Sequence, residues 1–212
     1  SLKRERNFNE YDKLYEANVK MTLNLLNYFQ NINYQNFIFS SSSEVYGSGN
    51  TAPFTENQVP NPASPYSLTK LMAENLISVF SNINHKPYTI LRLFNFYGND
   101  MPEHFFLSQL IGSLNRNEEF AMTKGEQIRD YTDIDILVEN IMRISCKQKA
   151  INETINICSA KGMSIKDIAL IIAKKQNKEH LLKIGTLPYR QNEVWNMLGS
   201  NELMNVILNK NE

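Results

Sequence analysis

Tyr66 and Lys70, in the string Tyr66-Ser-Leu-Thr-Lys70, are a pair of residue types that can move a proton. A spacing of four puts both side chains on one face of a helix. Ser64 can cap that helix and Pro65 suits its first position, so the pair falls in the first turns. There the positive end of the helix dipole favours an anion. An ammonium beside a phenol favours the phenolate and lowers its pKa. The result is a base able to take a proton from a hydroxyl group near neutral pH. Taken alone, the same spacing also describes a surface tyrosine beside a solvated lysine.

A second cluster precedes it, Phe39-Ser-Ser-Ser-Ser-Glu-Val-Tyr-Gly47. Residues 36–40 form a short apolar run that meets this Ser/Gly cluster, which predicts a buried strand ending in a loop. Serine hydroxyls at the end of such a strand lie at the carboxyl edge of a sheet, where open α/β sheets bind ligands. A serine there can bridge a substrate hydroxyl to the tyrosine and relay its proton. It can equally be part of a turn that satisfies its own backbone.

The scaffold around these groups is written in hydrophobic spacing and turn residues. Residues 15–30 carry Val19, Leu23, Leu26 and Phe29 at helical spacing. Residues 47–63, rich in Pro, Asn and Thr, read as loop. The helix that starts at Ser64 runs through Leu71, Met72, Leu76, Val79 and Phe80 and stops before Lys86-Pro87. Residues 88–96 form a second strand and residues 105–114 a helix. Further on, Asp133 or Asp135 can cap a helix through Ile136, Val138, Ile141 and Ile144. Residues 154–157 form a short strand, and Ser164 caps a helix over residues 165–175. Helix–strand–helix–strand order predicts an α/β fold, a partial Rossmann-type doubly wound parallel sheet with a smaller mixed lobe.

In 212 residues, 22 basic and 22 acidic side chains cancel, which speaks against a global grip on nucleic acid or an anionic membrane. No apolar run approaches the roughly 20 residues of a membrane helix. Cys146 and Cys158 make no disulfide framework or zinc pattern; they read as small, at least half-buried thiols in a reducing cytoplasm. His85, His104 and His180 are scattered and polar-flanked, so no metal is expected. Trp195 reads as core or interface, and Lys174, Lys175 and Lys178 as a solvated face.

The two clusters, joined by Pro53-x-x-Glu56 and the order Ser-Pro-Tyr-x-x-x-Lys, resemble the extended short-chain dehydrogenase/reductase family, in its NAD-dependent epimerase/dehydratase branch. Further strings extend the resemblance. They are Asn18-Val19 (with Met21 where glycine is usual), Leu91-Arg-Leu-Phe-Asn-Phe-Tyr-Gly98, Gly125-Glu-Gln-Ile-Arg-Asp-Tyr131 and Leu187-Pro-Tyr-Arg-Gln-Asn-Glu193.

The resemblance implies a nucleoside-diphosphate sugar oxidised at C4 with NAD or NADP as cofactor. It assigns Ser42 as the catalytic hydroxyl, Tyr66 as base and Lys70 as the holder of the nicotinamide ribose. Asn18, Ser40, Ser41 and Phe94 would lie against the cofactor. Asn95, Arg129, Arg190 and Glu193 would bind the diphosphate and ribose of the substrate, and residues 119–122 would reach its base. Glu44 follows the catalytic serine as it does in some dehydratases and decarboxylating relatives, and in plain epimerases too. A 4-epimerase or 4-ketoreductase stands ahead of a 4,6-dehydratase or decarboxylase, and a homodimer through the Tyr/Lys helix is expected.

Residues 1–100 are expected to be the later part of the cofactor domain. Residues 101–212 are expected to be mainly the nucleotide-sugar lobe, with residues 130–158 returning to the first. The phosphate-cradling G-x-x-G-x-x-G is absent from the glycines of this chain. The sheet is therefore expected to lack its first strands, and the chain by itself to bind NAD poorly, which calorimetric titration would refute with a micromolar affinity. A truncated, non-catalytic relative that binds a nucleotide sugar is the rival reading.

Overall fold

The computed structural model describes residues 8–47, 49–190 and 193–209. Helix α1 (Tyr11–Leu14) runs through a π-helical stretch, Tyr15–Lys20, into α2 (Met21–Phe29). Leu14, Asn18, Val19, Thr22 and Leu26 turn inward. Leu23, expected on that face, is exposed, because the wider π turn rotates the start of α2 and Thr22 takes the inward place.

Strand β1 (Phe37–Ser42) continues two residues past its expected end at Ser40. It is followed by a short 3₁₀ helix, Ser43–Tyr46, which Gly47 closes. Gly47 has φ +59°, and a Cβ there would lie 1.6 Å from the Asn61 carbonyl oxygen, so only glycine fits. Helix α3 (Pro65–Asn84) then begins with a reciprocal cap. Ser64 Oγ accepts the Ser67 N–H at 3.1 Å and Ser67 Oγ accepts the Ser64 N–H at 3.0 Å. The helix buries Tyr66, Lys70, Ala73, Glu74 and Ile77, while Val79 is exposed.

The strand expected over residues 88–96 divides into β2 (Tyr88–Leu93) and β3 (Asn95–Tyr97). At the break, Phe94 still donates its N–H to Ile157 O at 3.0 Å, but its ring turns into the core. A Cβ at Gly199 would stand 2.7 Å from that ring, so glycine is what admits it. Helix α4 (Phe106–Asn115), β4 (Phe120–Met122) and β5 (Ile128–Asp133) come next. Asp133 caps α5 (Ile134–Ser145), accepting the Asp135 N–H at 2.9 Å. The inward stripe of α5 is Leu137, Asn140 and Ile144, which leaves Ile136 and Val138 exposed.

The last elements are β6 (Glu153–Ile157), β7 (Gly162–Ser164), α6 (Ile165–Lys175), β8 (Leu182–Ile184), β9 (Asn196–Met197) and α7 (Glu202–Leu208). A parallel sheet runs in the order β1-β2-β6. Helix α3 packs on one face of it, and Leu91, Ile155 and Ile157 pack against α5 and α7 from the other. A second sheet gathers β3, β7 and β9 around β5, and β4 pairs with β8. This is an α/β fold of Rossmann type, with helices on both faces of a parallel sheet.

Two expected placements are corrected, those of Cys146 and Lys178. Cys146 is exposed at the end of α5, unlike buried Cys158. Lys178 is not a solvated charge, because its Nζ donates to Leu114 O at 2.6 Å and satisfies a carbonyl in the last turn of α4. Trp195 is half exposed and packs edge-on against Tyr189, ring centroids 4.7 Å apart. Among the described residues no helix is long and apolar enough to cross a membrane, and no cluster of His, Cys, Asp or Glu could hold a metal.

Candidate active site

Tyr66, Lys70 and Glu74 recur every fourth residue along the buried face of α3. Strand β1 lies beneath them. Its alternation sends Phe39 and Ser41 toward α3, where Ser41 Oγ meets Glu74 and the Phe39 ring meets Lys70. The Lys70 ammonium sits 4.9 Å from the centre of the Phe39 ring and donates to Ser40 O at 2.9 Å.

That contact fixes the register of helix on strand. One turn toward the start of α3, about 5.4 Å, reaches Tyr66. Two residues along β1, about 6.6 Å, reach Ser42. Both steps lead to the carboxyl edge of the sheet. There the Asn61 N–H, four residues before Pro65, donates to Val45 O at 2.9 Å. Ser42 and Tyr66 are both buried. Ser42 Oγ accepts the Glu44 N–H at 3.2 Å, so its own proton remains available to donate. Glu44 is half-buried in the same segment.

Burial pulls the Lys70 ammonium down to about 8, with the Glu74 charge opposing the shift. Glu74 is itself fully engaged. Its Oε1 accepts Ser41 Oγ at 2.5 Å and Arg92 Nε at 3.2 Å, and its Oε2 accepts Arg92 Nη2 at 2.8 Å. Burial favours loss of Arg92's proton, but the Glu74 carboxylate outweighs it and holds the guanidinium charged.

The other expected site residues lie on several elements. Asn18 lies on the π-helical stretch and donates to Thr69 Oγ1 at 3.0 Å, between Tyr66 and Lys70 in sequence. Ser40 is exposed beside the Lys70 contact, and Ser41 Oγ is turned to Glu74. Phe94 is enclosed with Val45, Tyr46, Phe54 and Met197. Asn95 opens β3 opposite Tyr131 of β5 and is buried.

Arg129 and Glu193 are brought together. Arg129 Nη2 donates to Glu193 Oε1 at 2.6 Å, and Nη1 to Val194 O at 2.7 Å and Ile128 O at 2.8 Å. Arg190 is exposed, just ahead of residues outside those described. Of the expected base-contacting stretch, Glu119 pairs with Lys183 at 2.9 Å and Phe120–Met122 is strand β4.

Sequence reasoning passed over Glu74 and Arg92. The signal was present: Glu74 continues the Tyr66–Lys70 spacing by one more turn, and a charge inside Leu91-Arg-Leu interrupts an otherwise apolar strand.

A family model described as the NAD dependent epimerase/dehydratase family matches residues 3–158. The chain is 32% identical over 156 residues to an uncharacterized UDP-glucose epimerase, YtcB, of Bacillus subtilis, covering 73% of this chain and 49% of that protein. It is 31% identical over 163 residues to a putative UDP-glucose 4-epimerase of Methanocaldococcus jannaschii, covering 74% of this chain and 52% of the relative. The chain thus spans about half the length of these curated relatives. Its fold superimposes with a TM-score of 0.90, at 28% identity, on the UDP-glucuronic acid 4-epimerase of Bacillus cereus in complex with UDP-glucuronic acid and NAD. That match covers 97% of this chain and 65% of the epimerase. With the family match extending across β1, α3, β2 and β6, this chain belongs to the NAD-dependent epimerase/dehydratase family.

Proposed function

We propose that the chain carries the proton-transfer and substrate-binding half of an enzyme that oxidises a nucleoside-diphosphate sugar at C4, as a 4-epimerase or 4-ketoreductase. The carrying observation is the Lys70–Ser40 contact, whose register brings Tyr66 and Ser42 to one edge of the sheet. NAD, or NADP, would accept the hydride from C4 when bound. The residues fit its ribose end: the Lys70 ammonium uses one N–H on Ser40 O and keeps others for hydroxyls.

In this reading Tyr66 takes the proton of the C4 hydroxyl as the C4 hydrogen leaves as hydride, and a C=O bond forms. Ser42, bonded only as an acceptor to the Glu44 N–H in the contacts seen, donates to the same sugar oxygen and relays the proton. The ammonium of Lys70 favours the phenolate. Arg129 and Arg190 meet the diphosphate with guanidinium forks, Glu193 accepts from the ribose, and Asn95 lies beside the sugar. The family matches and the bound molecules named for the B. cereus enzyme support this class of chemistry. We also propose a homodimer through α2 and α3, with residues 1–100 as the later part of the cofactor domain and residues 101–212 mainly the sugar lobe, of which residues about 130–158 return to the first.

Glu44 supports a second reading, a dehydratase or decarboxylase. A half-buried carboxylate two residues from Ser42 could take the C5 proton while the C6 hydroxyl leaves as water. The test uses a polypeptide that joins this chain to a glycine-rich phosphate loop, incubated with NAD and UDP-, GDP-, CDP- and dTDP-hexoses. A product of unchanged mass and inverted C4 by NMR supports the epimerase; one lighter by a water supports the dehydratase. Tyr66→Phe is expected to lower kcat by about 100-fold or more. Sugar binding with no turnover on any of the hexoses would leave the non-catalytic relative standing, and an undiminished rate in Tyr66→Phe would remove Tyr66 as the base.

A further inference from the structure

The segment that carries Ser42 and Glu44 is held at both ends by one buried ion pair. At its start, Ser41 Oγ donates to Glu74 on α3. At its end, the ring of Tyr46 lies 4.9 Å from the Arg92 guanidinium, and the Tyr46 hydroxyl donates to Asn156 Oδ1 of β6 at 2.7 Å. Arg92 and Glu74 are bonded to each other through two N–H groups, and both are nearly closed to water, at 7% and 5% side-chain exposure. Ser41 and Arg92 are register partners on adjacent strands, so both reach the same face and meet at Glu74. One carboxylate therefore ties β1, β2 and α3 together, four residues after Lys70 and on the same helix face.

A buried ion pair of this kind is a costly way to gain stability, since apolar residues of the same size often do as well. Its place suggests another role. We propose that Glu74 and Arg92 are positioning residues, which hold residues 41–46 against α3 and so keep Ser42 in register with Tyr66 and Lys70. This deepens the proposed function and rests on it for the roles of those three residues. The pair also supplies charge: Lys70 and Arg92 against Glu74 leave one net positive charge beneath Tyr66. The titratable or charged groups on the elements around Lys70 are Tyr66 and Glu74 on α3, Arg92 on β2, and Glu44 and Tyr46 in the held segment; the burial of Lys70 is offset by Glu74.

The test needs no turnover and uses the 212-residue chain. Glu74→Gln keeps an acceptor for Ser41 and removes the charge. By NMR, the Lys70 ammonium is expected to lose its proton at lower pH, with about tenfold weaker proton affinity. The double variant Glu74→Met, Arg92→Met removes both members of the ion pair, so neither is left behind as a lone charge, while Lys70 loses its counter-charge. It should melt close to the unsubstituted chain while amide exchange and shifts change at residues 42–46 and not throughout. If Glu74→Gln does not fold, the double variant carries the test. An unmoved Lys70 midpoint in a folded Glu74→Gln chain, or residues 42–46 exchanging as before in the double variant, overturns the proposal. Failure of the sugar incubations would leave these titration and exchange results unaffected, so the two failures are told apart.

Discussion

Lys70 carries an ammonium into a junction where a carbonyl oxygen and an aromatic ring are its direct contacts. Burial lowers its pKa from the ordinary 10.5 to about 8. Between those values the unfolded chain binds more protons than the folded one, so folding stability rises as pH increases through that window. The penalty is present in full below about 8 and is relieved by about 10.5. Two and a half pH units correspond to about 3 kcal/mol. Urea unfolding across this range should show the rise in the unsubstituted chain and its loss in Lys70→Met; parallel curves for the two would sink the assignment. Where activity depends on the ammonium, it should fall above about pH 8, the opposite direction to stability.

At the scale of elements, Asp130 of β5 is the counterpart of Glu74. Its Oδ1 accepts Ser159 N–H at 2.9 Å and Ser159 Oγ at 2.6 Å, and its Oδ2 accepts Ala160 N–H at 3.0 Å. Burial raises its pKa, while these bonds pull it back part of the way. The carboxylate joins the second sheet to the turn after β6. Asp130→Asn replaces one acceptor oxygen with a donor and should cost about 2–3 kcal/mol in denaturant unfolding; a loss under half of that would mean the turn holds without it. The strings around Asp130 and Arg129 stood out in the sequence, but Asp130 could be given no role there. Its acceptors serve backbone N–H groups about 30 residues on, which no local pattern announces. The capped start of α3 was legible because Ser64, Pro65 and Ser67 are neighbours in the chain. Which apolar residues of α3 and α5 face in was not legible for the converse reason: helical spacing fits more than one stripe, and only packing selects the one that leaves Val79, Ile136 and Val138 exposed. The π-helical stretch ahead of α2 likewise shifts the phase of Leu23.

At the scale of the molecule, α2 and α3 present apolar side chains to water: Leu25, Tyr28, Val79 and Ile83 are all more than 40% exposed. The two helices are tied at their ends, where Gln30 Nε2 donates to Asn84 Oδ1 at 3.3 Å. Such a face is what a symmetric dimer would cover. Sedimentation velocity at micromolar concentration should give a dimer, and Tyr28→Glu with Ile83→Glu a folded monomer. A monomer before any substitution would remove the homodimer proposal.

The bond between Arg129 and Glu193 sets a condition on whatever enters beside it. An anion that draws the guanidinium away strands a carboxylate that is only 8% exposed. Inorganic pyrophosphate carries no diol to offer Glu193 in exchange. Under the proposed function, a visitor with a phosphate at one end and a vicinal diol at the other would let both partners swap without either losing a mate, and the clasp would then favour a glycosylated or ribosylated phosphate over a bare one.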